Sequence, residues 1–414
     1  MRSNIEAGGD PAARTNVNLN LALIAACEFL FTATLAISNT LLGVVSKTLT
    51  RNLHLVTAPY AAMTLSAALT TIGASALMHR VGRPRGFIVG AFAATLGGVI
   101  AVLALWLHDF WTFCAAFGLI GVYKAFAQYY RFAAAEVVPA SSPAHRSNAV
   151  AVVLVGSFIA AISGPWIAAR VRNLVPALPY GGSFLAIVLM GAATLAFVAS
   201  LRFPASTSRT SVADSHHRMK LSALLQRRDI FVAIVSATIG YTVMAVMMVT
   251  APLAATGYGA SVSTAALIMQ FHVAGMYAPS LISGRIIHKY GTRSTIFVGC
   301  LLQLLATSIA FSSASVPAFV AALLLCGVGW NLMYVSSTVL LTNSCSQDER
   351  AAVQGTSEFI MFSFVTVASF GAATALNRYG WHGLQLLLAV PLLISAVVAV
   401  SVRTDNTLQT GNYR

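Results

Sequence analysis

Long apolar runs alternate with short polar segments along almost the whole chain. Each run has about twenty residues, which is enough to cross the hydrocarbon core of a bilayer as a helix. The approximate limits of the runs are 21–45, 56–79, 86–107, 110–137, 148–170, 180–201, 230–254, 262–287, 294–313, 317–341, 352–376 and 381–402. The pattern therefore predicts an all-α membrane protein of about twelve transmembrane helices.

The longest polar interruption, residues 202–229, separates the sixth run from the seventh. It divides the chain into two six-helix halves of similar length. The predicted organisation is an N-terminal tail, a first bundle, a linker, a second bundle and a C-terminal tail, with the limits 1–20, 21–201, 202–229, 230–402 and 403–414.

Composition supports a membrane location and orients the chain. The residues are 57% hydrophobic and 9% charged, whereas soluble domains carry about 25% charged residues. With the N-terminus inside, eighteen of the Lys and Arg residues fall on the cytoplasmic side, five fall outside, and Lys124 and Arg131 lie within a span. Because basic loops stay cytoplasmic, both termini are predicted to be inside. Short loops and tails favour a bacterial inner membrane.

The net charge of +14 does not indicate nucleic-acid binding, because no basic stretch is long or interleaved with aromatic residues. The five cysteines lie in or beside apolar runs without CxxC spacing. They are expected to be small buried hydrophobes, and no metal site is predicted. Walker-type, HExxH and GxSxG motifs are missing, so neither a nucleotide cofactor nor an enzyme is expected. An enzyme acting on lipid-linked substrates would need a reactive cluster that the sequence lacks.

The two halves carry a repeated loop. Residues 75–87, between spans two and three, and residues 284–296, between spans eight and nine, share a His, a basic residue, a Gly and a further basic residue around Gly82 and Gly291. Spans four and ten share Gly-Val at Gly121 and Gly327. An internal repeat of this kind is typical of transporters whose binding site lies between the halves.

Both loops resemble the signature of the major facilitator superfamily, Gly-x-x-x-Asp-Arg-x-Gly-Arg-Arg. The resemblance implies that fold, alternating access, and a gating role for His79, Gly82, Arg83, Arg85, His288, Gly291 and Arg293. The family's Asp is His79 in one copy and His288 in the other. Since His is mostly neutral at neutral pH, these residues predict a weaker or pH-dependent latch, or simply a hydrogen-bonding loop residue.

In span five, Gly156, Gly164 and Pro165 resemble the superfamily's Gly-x7-Gly-Pro element. In the family that element is associated mainly with proton antiporters. The match favours efflux over uptake. The alternative is a helix-packing seam with no bearing on direction, since small residues allow close helix contact.

Span four holds Lys124, Gln128 and Arg131 at spacings of four and three residues, which places them on one face of a continuous helix. A charge facing lipid at the membrane centre costs about 2.5–3.5 kcal/mol, so this face is expected to meet protein or a water-filled cavity. The resemblance places span four at the central cavity. Two interpretations remain open: a cationic floor for an anionic substrate, with Glu28 exchanging a proton, or a structural Glu28–Arg131 pair.

The second half offers Trp330 and Asn331, which correspond roughly to Tyr123 and Lys124 in the repeat. They predict an aromatic and amide surface for an organic ring, although aromatic residues at this spacing also serve packing. Glu358 in span eleven is a second predicted proton carrier, or a carboxylate paired near the interface.

The predicted function is secondary transport of a small organic anion or amphipathic metabolite. Protons and the bilayer are the expected partners of a monomer. A non-transporting sensor is the rival interpretation.

Overall fold

The computed structural model of the full chain describes residues 11–137, 143–201, 226–345 and 349–401. Within its helices, it leaves undescribed the side chains of residues 11–16, 72, 75, 76, 79, 131, 132, 135, 136, 143–148, 150, 151, 154, 350–352 and 401. The predicted C-terminal tail and most of the predicted linker lie outside the described residues.

The first half consists of seven helices that make six traverses. Their bounds are α1 Pro11–Leu49, α2 Ala58–Val81, α3 Arg83–Leu107, α4 Phe110–Ala127, α5 Tyr130–Val137, α6 Pro143–Val171 and α7 Gly181–Ala199. A short 3-10 helix, Leu53–Leu55, precedes α2. Helix α1 begins ahead of the predicted first span, so part of the predicted N-terminal tail is helical.

The second half also makes six traverses. Its helices are α8 Arg228–Gly257, α9 Val262–Tyr277, α10 Ser280–Tyr290, α11 Thr292–Ser312, α12 Val316–Asn343 and α13 Arg350–Ser401. Helix α13 crosses twice, because Gly380 breaks it with φ 68° and ψ −180°. That φ lies in the region that glycine adopts without a steric penalty.

In the described part of the chain, eight helices are long and apolar enough to span a membrane, or nine if the bent pair α9–α10 is one span. The second limb of α13, together with α2 and α6, completes twelve traverses. Each predicted apolar run corresponds to one traverse. The predicted fold, two pseudo-symmetric six-helix halves, is therefore confirmed.

The fourth span differs from its prediction as one uninterrupted helix. It is divided into α4 and α5 at Gln128 and Tyr129, where the Tyr129 N–H bonds to the Phe126 carbonyl at 3.1 Å instead of continuing the α-helical ladder. The break accompanies the packing of two adjacent aromatic side chains towards α3. The Tyr130 ring packs on Phe87, with centroids 4.7 Å apart, and the Tyr129 ring lies 5.9 Å from the Arg83 guanidinium.

Span eight is bent by 43° between α9 and α10. Pro279 lies at the bend, where it has no N–H to donate and its ring disturbs the preceding turn. The Asn331 amide of α12 donates to the Met276 carbonyl at 2.8 Å and to the Ser280 hydroxyl at 2.6 Å. The side chain of one helix therefore supplies hydrogen bonds at the break in another.

The two repeated loops have the same backbone geometry at their central glycines. Gly82 has φ 89° and ψ 154°, and Gly291 has φ 83° and ψ 160°. Each glycine closes one helix and opens the next, and each N–H bonds to the carbonyl four residues earlier, that of Met78 or Ile287. A side chain is disfavoured at this φ, which explains why glycine stands at both positions.

Gly121 and Gly327 also occupy matching places. A Cβ atom on Gly121 would lie 2.1 Å from the Met63 carbonyl oxygen of α2, and one on Gly327 would lie 2.5 Å from the His272 carbonyl oxygen of α9. Spans four and two are thus in backbone contact in the first half, as spans ten and eight are in the second.

The contact between the halves is made mainly by three helix pairs, α1 with α8, α2 with α13, and α6 with α9. The 3-10 helix with α13 and α1 with α9 add smaller contacts. We call the end of the bundle at which α1 ends the far end, and the end at which α1 begins the terminus end. At the terminus end, α5 packs on α1 and α6, and α10 packs on α11 and α12. Each of these short helices therefore stays with its own half.

Candidate functional site

Lys124 lies at the seam between the halves, in the last turn of α4. Its side chain is buried, with 6% of its surface exposed. Its Nζ atom is 4.9 Å from the centroid of the Phe362 ring and 5.9 Å from that of Tyr241, both of the second half. Among the described residues it has no carboxylate partner at ion-pair distance. The ammonium is thus stabilised by ring faces across the seam.

The rings beneath Lys124 belong to one group, the aromatic cluster, formed by Tyr241, Trp330, Tyr334 and Phe362. Tyr241 makes edge contacts with the other three, with centroids 5.4, 5.8 and 5.7 Å away. Trp330 and Tyr334 are nearly parallel, at 8° and 5.3 Å. These distances lie within the range of favourable aromatic pairs. Helices α8, α12 and α13 therefore present one aromatic surface towards α4.

Trp330 belongs to this surface, in the place where the repeat predicted an aromatic residue. Its Nε1 atom is buried, with no hydrogen-bond partner in the described part of the chain. Asn331 is oriented differently, because its amide nitrogen is engaged at the break between α9 and α10. Tyr123 packs within the first half, with its ring 5.3 Å from Phe31 and its hydroxyl 3.5 Å from that of Thr194.

The break in span four also changes the predicted cationic face. Gln128 forms the cap of α4, and Arg131 belongs to α5, so the spacing of a continuous helix no longer relates Lys124 to Arg131. The common face of Lys124, Gln128 and Arg131 therefore does not follow from continuous helical spacing, and it stays a prediction. The Nε2 atom of Gln128 is buried and has no partner among the described atoms. The side chain of Arg131 lies outside the described residues, and the Glu28–Arg131 pair stays a prediction.

Glu28 lies half-buried on α1. Its Oε1 atom accepts a hydrogen bond of 2.6 Å from the Ser157 hydroxyl of α6. The Thr32 hydroxyl in turn donates to Ser157 at 3.3 Å. The arrangement links the first and fifth spans through a carboxylate and two hydroxyls. A carboxylate inside a membrane bundle is expensive, and it marks a functional position by default.

Glu358 is the second predicted proton carrier, and it lies in the second half. It is half-buried on α13, one helical turn before Phe362, so the two side chains share a face. Phe362 is one ring of the aromatic cluster. Glu358 therefore lies beside the aromatic cluster. Its place in the sequence, about two turns past Arg350, did not reveal this neighbourhood.

The residues predicted to gate the site are spread over the terminus end. Arg293 forms an ion pair with Asp229, Arg83 lies over Tyr129, and Arg85 and His288 are exposed. The side chain of His79 lies outside the described residues. The Arg227 guanidinium also grips Glu349 through two hydrogen bonds of 2.8 Å, which hold the start of α8 to the loop before α13. These ion pairs all lie within one half.

Polar contacts between the halves are found instead towards the far end, where the sequence predicted none. The Thr366 hydroxyl donates to that of Thr64 at 3.0 Å, and the Thr57 hydroxyl accepts from the Ala373 N–H at 3.3 Å. The Lys47 ammonium donates to the Leu253 carbonyl at 3.4 Å. Further contacts join His54 with Thr374 and Gln270 with the Ile162 carbonyl. The far end is therefore closed in this structure.

The small residues of span five face α1. A Cβ atom on Gly156 would lie 2.8 Å from the Ala25 carbonyl oxygen, and one on Gly164 would lie 2.6 Å from the Ala36 Cβ. Pro165 follows inside the same helix. This geometry is a close packing seam between the fifth and first spans, next to the Ser157–Glu28 hydrogen bond.

Comparison with known proteins identifies the family. The model of the Major Facilitator Superfamily matches residues 24–368 and 230–412. The chain belongs to this superfamily. The chain is also similar to the riboflavin transporter RfnT of Brucella anthropi, at 30% identity over 389 residues, covering 94% of this chain and 96% of the relative.

Solved structures of the superfamily share the fold. A bacterial homolog of the human lysosomal transporter Spinster has a TM-score of 0.68 and 14% identity, covering 94% of this chain and 97% of its own. A POT family transporter in complex with 5-aminolevulinic acid has a TM-score of 0.69 and 12% identity, covering 92% and 95%. At these identities the likeness concerns the fold alone. The family match and the similarity to RfnT make the chain a transporter of this fold.

Proposed function

We propose that the chain is a secondary transporter of riboflavin or a closely related flavin. The observation that carries the proposal is the aromatic cluster lying under the Lys124 ammonium at the seam between the halves. A flat tricyclic ring offers two faces and an edge to such a surface, and each aromatic contact contributes about 0.5–1.5 kcal/mol beyond the buried area. RfnT, similar over nearly the full chain, is named for riboflavin transport.

Riboflavin also fits the class predicted from the sequence, an amphipathic metabolite. Its ring is largely apolar, and its ribityl chain carries hydroxyl groups. The ring would stack against Trp330 and Tyr241, while the ribityl chain extends along the seam. Binding sites for such ligands typically combine aromatic walls with a few fixed polar groups.

The proposal is tested with the purified protein in liposomes, by following riboflavin fluorescence in the lumen. We expect saturable riboflavin transport, and we expect Trp330→Leu to reduce it about tenfold, in line with one to two lost aromatic contacts. Trp166→Leu is the matched control, because Trp166 is 55% exposed on α6. Absence of riboflavin transport in the unaltered protein, or equal loss in both variants, would contradict the proposal.

We further propose that protons drive transport through Glu28 and Glu358. Both are membrane-embedded carboxylates, one beside the packing seam of α1 and α6 and one beside the aromatic cluster. With a pH-sensitive dye inside the liposomes, riboflavin should move protons in the unaltered protein but not in Glu28→Gln or Glu358→Gln. Glu349→Gln is the control, since that carboxylate pairs with Arg227 outside the spans. Riboflavin transport without proton movement would refute the coupling.

Direction and orientation complete the proposal. Efflux remains the prediction from Gly156, Gly164 and Pro165, and the closed far end is an inward-facing arrangement if both termini are cytoplasmic. Transport in right-side-out and everted vesicles from a bacterial inner membrane distinguishes efflux from uptake.

A sensor on the same fold would bind riboflavin without moving it. Light scattering of the purified protein tests the expected monomer.

A further inference from the structure

We propose that Lys124 sets the charge selectivity of the site. In this view its ammonium admits neutral or anionic planar rings that carry hydrogen-bond acceptors on one edge, and it excludes planar cations. The inference rests on the proposed function and deepens it, because it states which part of the substrate the protein recognises. Stacking on an aromatic surface alone would not distinguish neutral or anionic rings from cationic ones.

Lys124 lies where the two halves meet. The residue is carried by α4 of the first half, whereas the two rings under its ammonium, Tyr241 and Phe362, are carried by α8 and α13 of the second. A ligand that enters between the halves at the aromatic cluster must therefore meet this ammonium. With 6% of its surface exposed, Lys124 has little water around it to screen its charge.

Among the described residues, the charge of Lys124 is balanced by aromatic faces and not by a contacting carboxylate. Within the part of the chain that the structure describes, Lys124 has no carboxylate at ion-pair distance. Aromatic faces attract a cation through their quadrupole, but they carry no net charge. A buried charge without a counter-ion is costly. Glu358 also lies beside the aromatic cluster but makes no ion pair with Lys124 among the described contacts, so the ammonium keeps N–H groups that a suitable ligand group would hydrogen-bond.

A second donor lies one turn away. The Nε2 atom of Gln128, four residues after Lys124, is buried and has no acceptor among the described atoms. Residues at this spacing are neighbours on a helix surface. Lys124 and Gln128 together offer N–H groups, so the matching chemistry on a ligand is a carbonyl or a ring nitrogen. The pyrimidinedione edge of a flavin has two carbonyls and ring nitrogens and fits this requirement.

The same ammonium acts against a flat ring that is itself positive. Two like charges about 4 Å apart repel strongly at the effective dielectric of a protein site, and much more than in water. Proflavine is a tricyclic ring of similar width to a flavin, but it is cationic at neutral pH. Aromatic stacking alone would accept both ligands, so the pair of ligands isolates the contribution of Lys124.

The experiment measures the dissociation constants of riboflavin and proflavine for the unaltered protein, Lys124→Met and Lys124→Arg, by fluorescence titration in detergent. Met keeps the length and apolar stem but removes the charge, and Arg keeps the charge. In Lys124→Met we expect riboflavin to bind about tenfold more weakly and proflavine about tenfold more tightly. Lys124→Arg should keep the ratio of the two constants within about threefold of the unaltered protein.

The ratio of the two constants decides the inference, because a partly unfolded variant would lose both ligands together. A ratio that is unchanged in Lys124→Met overturns the inference, even if riboflavin binds tightly. If the unaltered protein binds no riboflavin, the flavin assignment fails, and the proflavine arm still tests the charge rule. Tight proflavine binding by the unaltered protein would also overturn it.

Discussion

The Nζ atom of Lys124 lies 4.9 Å from the centre of the Phe362 ring, and the contact joins the two halves at the seam. A buried cation–π contact of this kind contributes roughly 1–2 kcal/mol. Phe362→Leu, which keeps an apolar side chain but removes the ring, should weaken riboflavin binding about fivefold or more. Phe362→Tyr should bind as the unaltered protein does. Equal binding by the Leu and Tyr variants, measured by fluorescence titration, would show that the ring face plays no part.

Gln303 of α11 is expected to position the aromatic cluster from behind. Its Nε2 atom donates to the carbonyls of Gly240 and Cys326 at 3.1 and 3.4 Å, and Gly240 directly precedes Tyr241. Gln303→Met leaves both buried carbonyls without this donor, which should lower the free energy of unfolding by about 1–3 kcal/mol. We also expect a higher dissociation constant for riboflavin, because Tyr241 is less firmly held.

Thr307→Val provides the comparison for Gln303. Thr307 is buried in the same helix, but its hydroxyl bonds only to the Leu304 carbonyl one turn earlier. The Val variant should therefore bind riboflavin with an unchanged dissociation constant. If Gln303→Met lowers the melting temperature and leaves the dissociation constant unchanged, Gln303 stabilises the fold without positioning the site.

The glycines at matching places in spans four and ten should not tolerate even one methyl group. In Gly121→Ala or Gly327→Ala the new Cβ would overlap a carbonyl oxygen of the neighbouring helix, at 2.1 or 2.5 Å. Overpacking of this kind costs about 1–3 kcal/mol. Gly73→Ala and Gly371→Ala are matched controls, since nothing lies within 4 Å of either position. Melting temperatures in detergent should fall for the first pair only.

Polar contacts at the far end should hold the closed state. In the double variant Thr57→Val, Thr366→Val, the Ala373 N–H and the Thr64 hydroxyl lose partners across the seam. At about 1 kcal/mol per lost hydrogen bond, the open population should rise roughly fivefold or more. The readout is maleimide labelling of Leu253→Cys, a buried far-end position, above the background of the native cysteines. Thr256→Val is the control, because Thr256 bonds within its own helix.

Asp109 makes the start of α4 sensitive to acid. Its carboxylate accepts hydrogen bonds from the Thr112 hydroxyl and, at 2.6 Å, from the Thr112 N–H. Both lower the pKa of Asp109 below its ordinary value, the hydroxyl more than the N–H. A lowered pKa in the folded state means that the stabilisation is present above about pH 4 and is lost as the pH falls through the folded value. The melting temperature of Asp109→Asn should therefore lie below that of the unaltered protein at pH 7. The difference should shrink towards pH 3.

The hydrophobic pattern was sufficient to predict the traverses, because each needs a run of about twenty apolar residues. It did not predict the interruption at Gln128 and Tyr129. The two tyrosines that accompany it are themselves apolar enough to continue a run, and the break depends on their packing against α3. The limits of α1 were missed for a related reason. Residues 11–20 mix polar side chains with small or apolar ones and do not form an apolar run, yet a helix that leaves the membrane can continue through such residues.

For the site, the sequence predicted that Lys124 and Trp330 lie at the centre. An ammonium in an apolar span must face protein or water, and Trp330 and Asn331 occupy roughly the place of Tyr123 and Lys124 in the repeat. Phe362 and Gln303 gave no comparable signal. A phenylalanine in an apolar span resembles many others, and a single glutamine does not reveal which neighbouring helices it reaches. The far-end threonines escaped notice because a hydroxyl that crosses a seam and one that bonds its own helix look alike in sequence.

The matching contacts of Gly121 with Met63 and of Gly327 with His272 have an evolutionary consequence. Two independent helices would have little reason to place backbone against backbone at the same step of the same pair of spans. The seam is therefore expected to be older than the divergence of the halves, inherited from a half-length ancestor that was duplicated. Descendants of the two copies could then specialise, one supplying the cation and the other the rings.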